Sequence, residues 1–432
     1  MHDYNFLLAT LLIFYAPMAQ AKPSGELQLS SSDAVMLALR DNRSLAAAKA
    51  TIEEASAYSR YAGRLDNPDL NIGYASDRAF NNEGEYAYTI GFEQRFPVTN
   101  RLKLLKNVSA LEVQLAKSEF RNQQRLLIRD VELAVDTITS LDHRLSLLKE
   151  MVELQDGFAA FLQERIQVGE ASILDLNQVQ VAQFAVKQGV QNLTKERNIA
   201  ISELRSLLGQ GQNIEIEILP TQSEHIALPP MTDLNGERLN AHPEYQFKTL
   251  LAEVAKGKTA IAKAERWADI AIEIFFEEER SVDEPVGLET DRFSGIGVSI
   301  PLPLHNRNRA EIQASRLRER RIYHETAALK LRLENEANTL RRNAEATYLQ
   351  LTKYKESAVG LVEQNLEEIN RAYAAGQVDL GEIFRVQEQR LEIKTAQVAL
   401  RHELNQTLIN WRAATASNLS NLPITDISNE TN

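Results

Sequence analysis

Two long helical hairpins, each preceded by a pair of short β-strands, make up the fold that this sequence predicts: mainly α-helix with a small β part, built as a tandem duplication. Three observations predict it. Proline is absent from two long stretches, the apolar pattern switches between a helical period and strict alternation, and residues recur in register about 200 positions apart.

The twelve prolines leave residues 98–219 and 304–422 empty. Proline costs about 3 kcal/mol inside a helix, so both stretches read as helix. In the first, Leu102, Leu105, Val108, Leu111 and Leu115 recur at spacings of three and four, and Val131, Val135, Ile138, Leu141, Leu145, Leu148 and Val152 continue the stripe. A helix of roughly 55 residues would be a rod of roughly 80 Å; the alternative is an ordinary bundle broken at points the pattern does not show. Each stretch contains a glycine turn near its middle, Arg165 to Ser172 around Gly169 and Tyr373 to Asp379 around Gly376. Glycine takes the left-handed conformation that reverses a helix, so each stretch is a hairpin. The first closes at Leu208-Gly209-Gln210-Gly211, followed by a strand-like run from Ile214 to Leu219.

Between the helical parts lie four alternating segments. Leu70, Ile72 and Tyr74 form the first, Tyr86, Tyr88, Ile90 and Phe92 the second, Ile270, Ile272, Ile274 and Phe276 the third, and Ile296, Val298 and Ile300 the fourth. Small or polar residues fill the intervening positions. Polar loops are expected at Asp77 to Glu85 and around Glu277 to Asp291. Segments of about ten residues fit tilted transmembrane strands, though soluble hairpins laid over the helices would read alike. If the strands cross a membrane, four are too few to close a barrel, and open edges cannot face lipid. Several copies of the chain must then share one barrel.

The repeat is detailed. Asn42 to Leu45 answers to His242 to Tyr245, Asp69 to Ile72 to Asp269 to Ile272, and Gly91 to Arg101 to Gly297 to Arg307. Further on, Gly169, Ile173, Asp175, Val179 and Gln180 answer to Gly376, Leu380, Glu382, Val386 and Gln387. The expected division is a secretory signal at 1–21, with an apolar run from Phe6 to Ala16 and a small-residue cleavage site, Ala19-Gln20-Ala21. The first unit spans 22–220 (helix, strand pair 68–96, helical hairpin 99–208), the second 221–422 (helix, strand pair 268–301, helical hairpin 304–417), and a tail 423–432.

Composition excludes several functions. The net charge of −12 argues against a nucleic-acid partner, which needs a basic face. The excess acid either keeps the protein soluble or, in a pore, favours cations. Without cysteine there is no disulfide, thiolate metal site or cysteine nucleophile. The seven histidines are scattered, and no H-E-x-x-H motif or P-loop occurs, so no enzyme, cofactor or resident metal site is expected.

The order of elements resembles the TolC family of outer-membrane factors over nearly the whole mature chain. Leu29 to Asn42 is similar to that family's opening helix, with Ser30 and Asp33 set as a capping box. Gly297 to Arg309, with Pro301, Pro303, Asn306 and Asn308, resembles the segment that leaves the second strand pair. Its wording is most similar to CzcC-type members serving heavy-metal efflux, although Pro97 to Lys103 lacks the glycine expected in the matching turn. The resemblance implies a homotrimer whose four strands per chain make a twelve-stranded barrel in the bacterial outer membrane, continued by a long periplasmic α-helical barrel. It implies a periplasmic adaptor (a membrane fusion protein) and an inner-membrane RND-type pump as partners, passive export of heavy-metal cations and no catalysis. A TolC-like channel for drugs or organic toxins, or for type I secretion, is the alternative; a periplasmic coiled-coil adaptor would show one hairpin rather than two.

By the same resemblance the two glycine turns are the adaptor-docking tips: Arg165, Gly169, Ser172 and Leu176 on one, Gly376, Asp379, Leu380 and Ile383 on the other. Turn geometry alone also explains these glycines. Asp175 and Glu382 would form an acidic entrance ring in an oligomer, or simply a solvated helix face. Tyr86, Tyr88, Ile90, Phe92, Ile272, Ile274, Phe276 and Val298 are the expected contacts with outer-membrane lipid.

Overall fold

A computed structural model describes residues 26–80, 82–220, 228–283 and 285–419. The expected signal and C-terminal tail lie outside these described residues.

The chain starts with β1 (Glu26–Leu29) and α1 (Ser31–Asp41). The capping box is present: the Ser30 hydroxyl accepts from the Asp33 N–H at 3.2 Å, and the Asp33 carboxylate accepts from the Ser30 N–H at 3.2 Å. Asn42 separates α1 from α2 (Arg43–Tyr61), accepting from the Leu45 N–H and donating to the Leu207 carbonyl, both at 2.9 Å. Next come β2 (Asp69–Ser76), β3 (Tyr86–Phe96), α3 (Arg101–Gln167), α4 (Ile173–Leu207) and β4 (Glu215–Ile218). The order then recurs as α5 (Gly236–Ala241), α6 (Pro243–Ala264), β5 (Ile270–Asp283), β6 (Gly287–Ser299) and α7 (Arg309–Lys353). A π-helical turn over Tyr354–Val359 leads into α8 (Gly360–Ala374), and α9 (Leu380–Ala414) returns.

The 67 residues of α3 make a rod of roughly 100 Å, longer than the apolar stripe suggests. Gly157 is the residue within it that favours a break, and its cost of about 1 kcal/mol is too small to end a helix packed along its length. The π turn is not foreshadowed by the apolar period.

Near its middle, α3 buries Val131, Val135, Ile138, Leu141 and Leu145 in a core shared with Leu29, Ala34, Ala38, Leu204 and Ile216. Here β1 and β4 pair in parallel, Glu26 with Glu215 through Leu29 with Ile218, tying the start of the unit to its end. Below this waist the helices lie side by side as α4, α3, α9 and α8; above it, as α2, α3, α6 and α7.

The two strand pairs merge into one antiparallel sheet of order β2-β3-β5-β6. Its second hairpin is longer than expected. The polar stretch from Glu277 to Asp291 is mostly strand, since β5 continues to Asp283 and β6 begins at Gly287. Alternation continues through it, with carboxylates on one face and Glu278 bonded to Arg292 at 2.9 Å on the other.

Candidate functional site

The sheet has two unlike faces. Register places Leu70, Phe92, Ile274 and Ile296 in one row and Ile72, Ile90 and Phe276 in the next, with Ile272 beside Val298 and Tyr74 beside Tyr88 flanking them. All of these large side chains are exposed in the single chain. Tyr74 and Tyr88 pack with ring centroids 4.9 Å apart, and the Tyr86 hydroxyl donates to Glu278 at 3.2 Å. The expected lipid-contact residues therefore share one continuous apolar surface, edged by tyrosines. The opposite face is mostly small and acidic, with Phe275 over Gly295 and Phe293 beside Glu277 as its large apolar side chains. Glu93 lies beside Glu273, Thr89 beside Glu277, and Ala87 beside Glu279, which is directly opposite Asp291.

At the far end of the molecule the two turns are built alike. Gly169 (φ +78°) and Gly376 (φ +71°) each close a helix in the left-handed conformation. The Gly169 and Glu170 amides donate to the Ile166 and Arg165 carbonyls, as those of Gly376 and Gln377 do to Tyr373 and Ala372. Ser172 caps α4 and Asp379 caps α9. Asp175 completes a capping box with Ser172, and Glu382 pairs with Arg385 at 3.0 Å. Arg165 binds Glu170 at 2.9 Å and lies over the Phe161 ring. The tips touch: Phe158 meets Tyr373 at 5.3 Å, and Leu162, Val179 and Leu380 form a small core with Leu176 against it.

Leu380 and Ile383 therefore differ from the expectation of docking residues. Both are buried, Ile383 completely, and Leu380 joins the core that seals hairpin against hairpin within one chain. Arg165, Gly169, Ser172, Gly376 and Asp379 stay at the surface. Among the described residues no cluster could hold a metal ion, and no helix is long and apolar enough to cross a membrane.

Residues 34–210 match the family model for outer membrane efflux proteins. The match runs from α1 to the turn after α4, which is the first of the two repeated units. Solved structures extend the likeness to the whole fold. The channel-forming protein CusC superposes with a TM-score of 0.73 at 16% identity, covering 92% of this chain and 95% of that one. The outer membrane protein VceC of Vibrio cholerae gives 0.70 at 16%, covering 89% and 95%. The MtrE outer membrane channel of Neisseria gonorrhoeae gives 0.68 at 12%, covering 89% and 88%. No curated protein matches the chain in sequence.

Two features of this fold escaped the sequence reading. One is the acidic end of the polar sheet face, where Glu279 stands opposite Asp291 within a stretch expected to be loop. The other is a stripe on the outer side of α4, where Leu174, Val181 and Phe184 are exposed, the last by 73%. Their spacing is helical, but periodicity alone does not say which apolar stripe a helix leaves uncovered.

Proposed function

We propose that the chain is one subunit of a homotrimeric outer-membrane channel, in which three four-stranded sheets close a twelve-stranded barrel above a periplasmic helical tunnel. The observation that carries this reading is the sheet itself, with one apolar exposed face and two unpaired edges, β2 and β6, standing at the end of roughly 100 Å helices. Unpaired edges are not tolerated in lipid, and pairing β6 of one copy with β2 of the next satisfies both. The apolar face then meets lipid and the acidic face lines the pore.

The substrate reading is export of metal cations, delivered by an RND-type pump through an adaptor at the tips. The pore-facing carboxylates support it. Glu279 and Asp291 sit directly opposite each other, an arrangement that costs sheet stability unless cations screen it. The exposed α4 stripe and the surface residues Arg165, Gly169, Ser172, Gly376 and Asp379 are the adaptor's contact surface.

Light scattering and electron microscopy of the detergent-purified protein test the assembly. A trimer with a hollow rod below a detergent belt is expected; a compact detergent-free monomer would sink the reading. For the substrate, a deletion strain should lose resistance to zinc, cobalt, cadmium or copper, whereas sensitivity to organic drugs alone would reverse the cation assignment.

A further inference from the structure

The chain passes four times between the sheet and the helices, and all four crossings carry the same pair of features. Leu65 is exposed beside Arg64, Trp267 beside Arg266, Val98 five residues before Lys103, and Leu304 five residues before Arg309. Among the described residues, none of these four cations forms an ion pair. Of the nearby carboxylates, Asp69 faces Arg95 at 3.6 Å and Asp269 holds Arg101 at 2.7 Å; Asp66 and Glu265 stand exposed beside Arg64 and Arg266, so the four cations outnumber the free acids next to them. Arg64 lies 4.5 Å above the Tyr61 ring, so a cation and an aromatic body share one spot. After each strand pair the features recur in register, Val98 and Lys103 answering to Leu304 and Arg309 at an offset of 206; before the pairs they fall at different positions of the two repeats. In a chain of net charge −12, an unpaired basic collar at one level is a departure that calls for an anion.

We infer that this collar binds the phosphodiester headgroups of anionic phospholipids in the membrane leaflet facing the helices. The inference rests on the proposed insertion of the sheet. The collar lies at the helix-side end of the apolar face, where a bilayer covering that face would place its headgroups. Trp267 and Tyr61 are the side chains that settle at such a boundary, and long arginine and lysine side chains reach to phosphate from just outside it. A cation at an anionic surface contributes enough to make the preference measurable. A soluble acidic protein is the competing occupant, but it would leave the adjoining apolar residues Leu65, Val98 and Leu304 without a partner.

The test uses the full-length channel inserted into vesicles of phosphatidylcholine containing one part in three of phosphatidylglycerol, then extracted with a mild detergent for native mass spectrometry of retained lipid. The protein should retain phosphatidylglycerol over phosphatidylcholine by at least about fivefold, the effect of roughly one engaged cation. Arg64→Gln, Lys103→Gln, Arg266→Gln and Arg309→Gln together should abolish the preference. Four substitutions in the helices away from the sheet, Lys187→Gln, Lys195→Gln, Arg371→Gln and Arg385→Gln, should leave it unchanged. An inserted channel with no preference, or one that both quadruple variants weaken equally, overturns the lipid collar while the channel stands. Failure to insert into any vesicle overturns the channel reading as well. Loss of binding to an acidic periplasmic protein, with lipid retention unaltered, would assign the collar to that protein instead.

Discussion

The two hairpins are built on one plan but differ by one residue, and the π turn is where the difference is absorbed. Leu127, Val131, Ile138 and Leu141 of α3 are buried, and so are Leu333, Ala337, Ala344 and Thr347, each 206 positions later. The tip glycines Gly169 and Gly376 are 207 apart. Between these two registers lies Tyr354–Val359, whose wider turn accommodates one extra residue. Without it, everything below would rotate by roughly 100° and turn its apolar stripe away from α9. A packed helix thus tolerates an insertion when a single turn confines it.

Deleting one residue from each hairpin breaks this comparison most sharply. Loss of Ser357 should convert the π turn to α-helix and leave the unfolding midpoint nearly unchanged. Loss of Leu148, at the corresponding height in α3, should cost more than about 5 kcal/mol, since every buried residue on one side of it leaves its place. Chemical denaturation of the purified protein followed by circular dichroism reads both. Equal damage would mean that the π turn has a role of its own.

A second difference concerns charge. In the first hairpin Gln183 and Lys187 both approach Asp156. At the matching places of the second, Arg390 and Lys394 hold Glu363, and Arg390 also reaches across to Glu150 of α3 at 2.6 Å. Burial pushes the Glu363 carboxyl upward, but the hydrogen bonds from Arg390 and Lys394 outweigh it and hold the group below its ordinary value. Arg390→Gln, which copies the first hairpin, should keep a bond to Glu363 and lose the one to Glu150, at a cost of about 1.5–3 kcal/mol. Unchanged stability would show that the bridge between hairpins contributes little.

At the waist, Asn42 of the first repeat is matched by His242 of the second. The His242 ring is fully buried, and neither nitrogen has a partner in good geometry. Burial first, then the charges of Arg125 and Arg332, pull its pKa down to about 3 against the weak opposing effect of the Ala413 carbonyl. The unfolded chain therefore takes up a proton that the folded one refuses. The contribution of His242 to stability is full above about pH 6.5 and falls by about 1.4 kcal/mol per unit as pH drops toward 3. His242→Asn should flatten that slope in a pH series of denaturation curves; an unaltered slope would place the acid sensitivity elsewhere.

The smallest expected effect lies where each hairpin ends. Gly209 (φ +67°) and Ala416 (φ +54°) occupy the same left-handed position after α4 and α9. Ala416→Gly should stabilise by about 1 kcal/mol through relief of backbone strain. Gly209→Ala should do the reverse and more, because its Cβ would lie 2.3 Å from the Asp41 carbonyl oxygen. A gain at Ala416 absent from melting curves would mean that neighbouring contacts relieve the strain already.

Local chemistry made much of this legible. Gly169, Gly376 and the Ser30–Asp33 box announced themselves because turns and caps depend on residues a few positions apart. The apolar strand face was legible for the same reason. Leu380 and Ile383 were misplaced because an apolar period marks a face to be covered without saying whether the same chain covers it. The acidic half of the second hairpin was taken for loop because charge reads as solvent exposure, and in a strand alternation decides where that charge points. The π turn was hidden for a different reason: one extra residue shifts a period without erasing it.

The unpaired edges of the sheet also have a genetic consequence. In the proposed ring, closed head to tail, every subunit contributes to two seams, and a copy with a damaged β2 or β6 spoils the wall for partners that are themselves intact. An allele carrying proline in the middle of either strand should therefore act dominantly when expressed beside the normal gene, whereas an allele that produces no protein should be recessive.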